Sequence, residues 1–145
     1  MPSAEIRECP SWPGYYTDTM GRIFSTNGRR SKQRLYELKT NVDKDGYLRL
    51  SVLCANKRGG KTIMVHTMVL DAFAGPRPLG KQCRHLDGNK PNNRPGNLRW
   101  GTPTENQRDR IAHGTVAIGE KNHAAKLTWP QVRQIRLEYK QGVRG

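Results

Sequence analysis

One continuous block, residues 84–106, constrains this chain more than any other feature. It reads Arg84-His85-Leu86-Asp87-Gly88-Asn89-Lys90-Pro91-Asn92-Asn93-Arg94-Pro95-Gly96-Asn97-Leu98-Arg99-Trp100-Gly101-Thr102-Pro103-Thr104-Glu105-Asn106. Gln82 to Leu86 is a short strand by composition, Asp87 to Gly96 a polar loop rich in Asn, Gly and Pro, and Asn97 to Gly101 a second strand. A helix then starts on several signals at once. Thr102 can cap it, Pro103 suits its first position, and Glu105 completes a capping box. It should run to about His113, before Gly114. A His therefore closes the first strand, an Asn opens the second, and another Asn sits in the first helical turn. A helix packed across the hairpin would gather these polar groups in one cleft.

The rest of the chain is consistent with an α+β protein. Residues 12–56 read as short strands, with turns at Thr19-Met20-Gly21 and Asp45-Gly46. Tyr47 to Leu53 alternates with period two, residues 57–61 read as a hairpin tip, and Thr62 to Val65 as the return strand. Val65, Met68, Val69, Ala72 and Phe73 then change the period to that of a short amphipathic helix, stopped at Gly75-Pro76. Residues 114–126 look like a linker. A second capping box from Thr128 to Gln131 opens a last helix with Val132, Ile135 and Tyr139 on one stripe. The divisions expected are a β-rich module at 1–64, a strand-loop-strand-helix core at 65–114, and a linker with a C-terminal helix at 115–145.

Charge narrows the partner. The formal net charge is +14, from 26 Lys and Arg against 12 Asp and Glu. Such an excess draws polyanions, and nucleic acid is the first candidate. The surplus is largest where the block lies: residues 57–113 carry net +7, against +3 before and +4 after. No apolar run is long enough to span a membrane, and the N-terminus lacks an apolar signal core, so the expected setting is cytoplasmic. Cys9, Cys54 and Cys83 form no C-x-x-C pair and are read as ordinary small residues rather than a zinc finger or a disulfide scaffold.

The block suits phosphodiester hydrolysis. That reaction needs a base for water, and neutral imidazole serves near pH 7. It also needs charge stabilisation at phosphorus and at the leaving oxygen, which a cation such as Mg²⁺, with its preference for oxygen ligands, supplies. An amide can orient the imidazole, and an Asn carbonyl on a helix can bind the cation.

At this point the residues resemble a known family. The block is similar to the HNH endonuclease motif in its phage and homing form. The implied fold is a ββα-metal core, and the implied activity is divalent-metal-dependent cleavage of double-stranded DNA. By this resemblance His85 is the general base, Asn97 orients it, and Asn106 is a ligand for Mg²⁺, Mn²⁺ or another divalent cation. Residues 10–73 resemble the accompanying NUMOD4-like module, through Trp12-Pro13-Gly14-Tyr15, Gly21-Arg22-Ile23-Phe24-Ser25, Asp45-Gly46-Tyr47-Leu48 and Val65-His66. Residues 119–142 resemble the start of a helix-turn-helix tail, with room for one helix. The resemblance implies a phage or mobile-element setting, hence a host-cell cytoplasm, and leaves monomer or homodimer open.

One position departs from the pattern. Several homing members carry an acidic metal ligand just before the base, and this chain has Arg84. The metal then holds more water, or borrows Asp87 or Asp109. Arg84 should face away from the base, since adjacent strand residues alternate. Arg84, Lys90, Arg94, Arg99, Arg108, Arg110 and Lys126 are the candidate DNA contacts. His66 is read as structural, His113 and His123 as unspecialised, Trp100 as core, and Asp87-Gly88-Asn89 as a tight turn. The rival readings are a non-catalytic DNA-binding protein on the same scaffold, motivated by Arg84, and an RNA- or ribosome-binding basic protein, which accounts for the charge but not for the His/Asn block.

Overall fold

The computed structural model describes residues 4–27, 34–53, 59–116, 124 and 126–140. The expectations for Cys54 and His123, the start of the hairpin tip and much of the linker lie outside these. The chain divides into two compact units, residues 1–109 and 110–145.

The first unit is built around one helix. Strands β1 (Ile6–Glu8), β2 (Tyr15–Asp18), β3 (Ile23–Ser25) and β4 (Tyr36–Glu37) form a four-stranded antiparallel sheet in sequence order. Strands β5 (Asn41–Val42), β6 (Leu48–Leu53) and β7 (Gly60–Met64) form a second antiparallel sheet. Helix α1 (Val65–Ala74) follows β7 directly. It touches β1, β2, β6 and β7 as well as the strands that follow it. Its buried side chains include Val65, Met68, Val69 and Leu70, so the apolar period legible in the sequence is the face that packs. They join Cys9, Tyr15, Ile23, Leu50, Val52, Ile63 and Leu98 in one core. Asp71 is buried on the same helix, and its carboxylate is satisfied by the Ser11 amide and hydroxyl at 2.9 and 2.6 Å, so the β1–β2 turn is pinned to α1.

Strands β8 (Gln82–His85) and β9 (Leu98–Gly101) form a two-stranded antiparallel hairpin, with His85 opposite Leu98 and Arg84 opposite Arg99. A short 3₁₀ turn at Pro95–Asn97 leads into β9. Leu98 is fully buried and Trp100 packs beside it, its indole donating to the Gly75 carbonyl at 3.1 Å. Burying Leu98 contributes roughly 2 kcal/mol and fixes the hairpin on α1. Helix α2 (Pro103–Ala112) starts with the expected capping box: Glu105 accepts from the Thr102 amide at 2.7 Å, and Thr102 Oγ1 accepts from the Glu105 amide at 3.2 Å. The mixed α+β class is thus as the pattern implied. One strand was not anticipated, β1, which is short and exposed.

The second unit contains the end of α2 and helix α3 (Trp129–Lys140). Its capping bond, from the Thr128 amide to Gln131 Oε1 at 2.8 Å, is the one read from the sequence. Ile135 and Tyr139 of its apolar stripe are exposed. No described helix is long and apolar enough to cross a membrane.

Candidate active site

The hairpin β8–β9 sorts the block into two faces. Successive strand residues point opposite ways, and the side chains follow that rule. Cys83 and His85 face α1 and the β5–β6 turn. Gln82 and Arg84 face α2.

His85 lies in a pocket of rings. Its ring centroid is 5.2 Å from that of His66, edge to face, and 5.8 Å from that of Tyr47. His66 and Tyr47 are themselves 5.5 Å apart. Tyr47 is placed by a tight turn in which Asp43 accepts hydrogen bonds from the amides of Asp45 and Tyr47, both at 2.9 Å, with Gly46 in the left-handed region. The His85 Nε2 atom is 3.1 Å from Asn93 Oδ1. Oδ1 can only accept, so Nε2–H donates to it, which leaves the lone pair of a neutral imidazole on Nδ1. Burial pushes the His85 pKa below its ordinary value of 6.5, against the opposing pull of the Asn93 bond and of Asp87. The ring is therefore neutral at pH 7, the form that can accept a proton. Burial also pushes His66 down, to about 4, with His85 adding to the shift, so the two imidazoles coexist uncharged.

Two buried side-chain atoms among the described residues lack a hydrogen-bond partner, His66 Nδ1 and Asn93 Nδ2. Both belong to residues that touch His85. Native interiors leave few such atoms, and here they cluster at one imidazole.

Asn97 has a different position from that expected. It makes no hydrogen bond to His85. Its amide nitrogen donates to Asp87 Oδ1 and to the Asn92 carbonyl, both at 2.9 Å, and its Oδ1 accepts from the Asp87 amide at 3.0 Å. Asn92 also donates to Asp87, at 2.7 Å. Asn97 thus closes the polar loop, and Asn93 on that loop holds the imidazole. The Asp87-Gly88-Asn89 segment is the expected tight turn, with Gly88 in the left-handed region.

The face toward α2 carries oxygen donors. Asn106 donates through its amide nitrogen to Gln82 Oε1 at 3.1 Å, which keeps its carbonyl oxygen for a ligand. Asp109 is one turn further on the same helix face. Arg84 lies among these groups. Its Nε is 2.6 Å from Asp109 Oδ2, its second nitrogen 3.0 Å from Oδ1, and its third 3.6 Å from Glu105. Gly101 makes room for this: a Cβ there would lie 2.1 Å from Arg84 Cδ. As the alternation required, the guanidinium faces away from His85. The donor types match a hard divalent cation, a neutral carbonyl and carboxylates rather than nitrogen or sulfur. Of the two carboxylates expected as substitutes, Asp109 is on the Asn106 face, and Asp87 is engaged in the loop.

The candidate DNA-contacting cations divide in the same way. Arg84 is held internally. Lys90 donates to the Asp45 carbonyl at 2.6 Å and lies 4.7 Å above the Tyr47 ring, so it braces the β5–β6 turn. Arg99 is exposed, with its guanidinium on the Leu98 and Pro95 carbonyls. Arg94, Arg108, Arg110 and Lys126 are exposed. Sequence reasoning missed Asn93, Tyr47 and the place of His66 beside His85. For Asn93 the only signal is an Asn-rich loop, and nothing in the sequence distinguishes it from Asn89 or Asn92.

A protein-family model described as HNH endonuclease matches residues 64–108, which hold His66, Cys83, His85, Asn93, Asn97 and Asn106. The chain belongs to the HNH endonuclease family. It is 31% identical to DNA endonuclease I-HmuI of Bacillus phage SP01 over 124 residues, which cover 85% of this chain and 67% of that protein. It is 32% identical over 126 residues to the SPbeta prophage-derived protein YosQ of Bacillus subtilis (strain 168), covering 86% of this chain and 66% of YosQ. A solved structure of the HNH homing endonuclease I-HmuI matches with a TM-score of 0.64 at 28% identity, covering 94% of this chain and 68% of that one. The chain spans about two thirds of the length of these relatives.

Proposed function

We propose that the protein hydrolyses phosphodiester bonds of double-stranded DNA in a reaction that depends on Mg²⁺, Mn²⁺ or a similar divalent cation. The observation that carries this reading is a neutral His85 held by Asn93 at the end of β8, with an oxygen-donor face on the adjoining helix. The phage relative is a DNA endonuclease, and the I-HmuI structure is titled for DNA binding and cleavage. The net charge of +14 fits a polyanionic substrate.

His85 takes a proton from the attacking water. Asn93 and the surrounding rings keep the imidazole oriented and uncharged, and Asn97 keeps the loop closed beneath them. Asn106, with Asp109 beside it, would hold the cation. When bound, that cation supplies charge stabilisation to the pentavalent phosphorus and the leaving oxygen. Arg94, Arg99 and Arg108, and Lys126 in the second unit, add contacts to the phosphate backbone. The chain works in the host-cell cytoplasm, as a monomer that nicks or a homodimer that cuts both strands.

One observation favours a second reading, a DNA-binding protein without cleavage: Arg84 neutralises Asp109 at the oxygen-donor face. Supercoiled plasmid incubated with Mg²⁺, Mn²⁺ or EDTA separates the two. Metal-dependent conversion to open-circular or linear DNA, reduced about 10²- to 10⁴-fold in His85→Ala with duplex binding retained, supports the nuclease. Duplex binding without cleavage under any cation, on a substrate library broad enough to contain the target, supports the second reading.

A further inference from the structure

His85 belongs to another constellation besides the hydrolytic one. One ligand atom each from His66, Cys83 and His85 lies within 4.8 Å of the other two. The three come from two elements, α1 and β8, and the spacing of 83 and 85 puts both on one strand face. The set is nitrogen and sulfur, without a carboxylate. That is poor chemistry for Mg²⁺ and good chemistry for Zn²⁺ or Co²⁺. A second observation points to a ligand there: the Nδ1 atom of His66 is buried without a partner. A neutral imidazole with an unused nitrogen is a metal donor in waiting.

We propose that His66, Cys83 and His85 form a site for a thiophilic divalent cation, separate from the Asn106 face, and that filling it takes His85 out of catalysis. The second half rests on the reading of His85 as the base. The bonding step is a ligand exchange. The Cys83 S–H bond breaks, its proton goes to solvent, a metal–sulfur bond forms, and the cation loses water molecules as both imidazoles bind. Zinc bonds of about 2.0–2.3 Å in a tetrahedron bring ligand atoms to roughly 3.3–3.8 Å from one another. The ligand atoms therefore need to close by at most about 1.5 Å. The His85 lone pair is then bound to the cation and can no longer accept a proton. Three protein ligands leave one position for water. The ion is an inhibitor here rather than a helper, because the group it captures is the one that must accept a proton.

The test uses the full chain and Co²⁺ as the optical probe. Titration of the reduced protein should give a near-ultraviolet sulfur-to-cobalt charge-transfer band and visible bands of tetrahedral intensity, both displaced by Zn²⁺. Cys83→Ser should remove the charge-transfer band. His66→Gln and His85→Ala should each weaken Co²⁺ binding by at least about tenfold, with circular dichroism confirming that the variants fold. A band that survives Cys83→Ser belongs to Cys9 or Cys54 and overturns the site, as does the absence of any band. In Mg²⁺-supported cleavage, Zn²⁺ should inhibit the wild type, and Cys83→Ser should raise the inhibitory concentration about tenfold or more, each protein being compared with its own rate without Zn²⁺. Full cleavage by protein whose Co²⁺ has been displaced by Zn²⁺ overturns the inhibitory role. A cobalt band in a protein that never cleaves DNA leaves the metal site standing and removes the endonuclease reading, so the two failures are distinguishable.

Discussion

The imidazole of His85 is held by Asn93, Nε2 to Oδ1 at 3.1 Å, and Asn93 is itself almost wholly buried. An orienting amide on a loop rather than on the second strand makes a specific prediction. Asn93→Ala should slow cleavage by roughly ten- to a hundredfold while leaving duplex affinity unchanged. Asn93→Asp should retain an acceptor and add a negative charge, raising the His85 pKa and moving the acidic limb of the rate profile to higher pH. A merely structural Asn93 would give Ala and Asp variants that lose stability together with no movement of that limb.

Much of this arrangement was legible in the sequence, and the reason is periodicity. The α1 face, the β6–β7 hairpin, the capping box at Thr102 and the last helix each rest on local chemistry that repeats within a few residues. Site candidates on regular elements, His85 as the base and Asn106 as the metal ligand, could therefore be named. The loop between 87 and 96 has no period. Its Asn residues differ only in what they meet in three dimensions: Asn92 meets Asp87, Asn93 meets His85. His66 read as structural because its partner is nineteen positions away on another element. The direction of Arg84 followed from strand alternation, but its partner Asp109 was only one of two carboxylates the sequence offered.

His66 sets the response to acid. Its folded pKa is about 4 against an ordinary 6.5, chiefly because burial penalises the charged ring. A folded pKa below the unfolded one means that the unfolded chain binds the proton first. Stability from the neutral ring is therefore complete above pH 6.5 and is lost as pH falls towards 4, by roughly 3 kcal/mol over the whole window. Urea unfolding of wild type and His66→Gln from pH 7.5 to 4.5 checks this. The variant should show a flatter dependence across that window. Equal slopes would remove His66 from the account.

The pair Arg84 and Asp109 should couple to Gly101. Arg84→Ala removes two charge-assisted hydrogen bonds in a half-buried place and should cost about 1–3 kcal/mol. Gly101→Ala should also destabilise, since its Cβ would lie 2.1 Å from Arg84 Cδ. Gly101 does not have a left-handed backbone, so the clash with Arg84 is the main penalty, with a lesser one from Glu105 at 3.1 Å. In the double variant most of the Gly101 penalty should vanish. Chemical denaturation of the four proteins in a double-mutant cycle reads the coupling. Strict additivity would mean that Arg84 does not occupy that space. Mn²⁺ titration of Arg84→Ala adds a second reading. Asp109, released from the guanidinium, should bind the cation more tightly than in wild type.

The N-terminal sheet meets the site at Gly21. Gly21, in the β2–β3 turn, has a φ of +80°, and a Cβ there would lie 2.6 Å from the Asn93 carbonyl oxygen. Asn93 is thus wedged between His85 and a turn from the sheet furthest away in sequence. Gly21→Ala should impose two penalties: left-handed strain of about 1–2 kcal/mol and a push on the Asn93 backbone. Gly80 separates them, because it is also left-handed, at +72°, but a Cβ there meets nothing within 4 Å. Gly80→Ala should lose stability by strain alone and keep its cleavage rate. Gly21→Ala should lose more stability, and its cleavage rate should fall further than duplex binding does. Equal stability and equal rates in the two variants would mean that the Gly21–Asn93 contact does not position the imidazole, and that the N-terminal sheet supports the core without tuning the site.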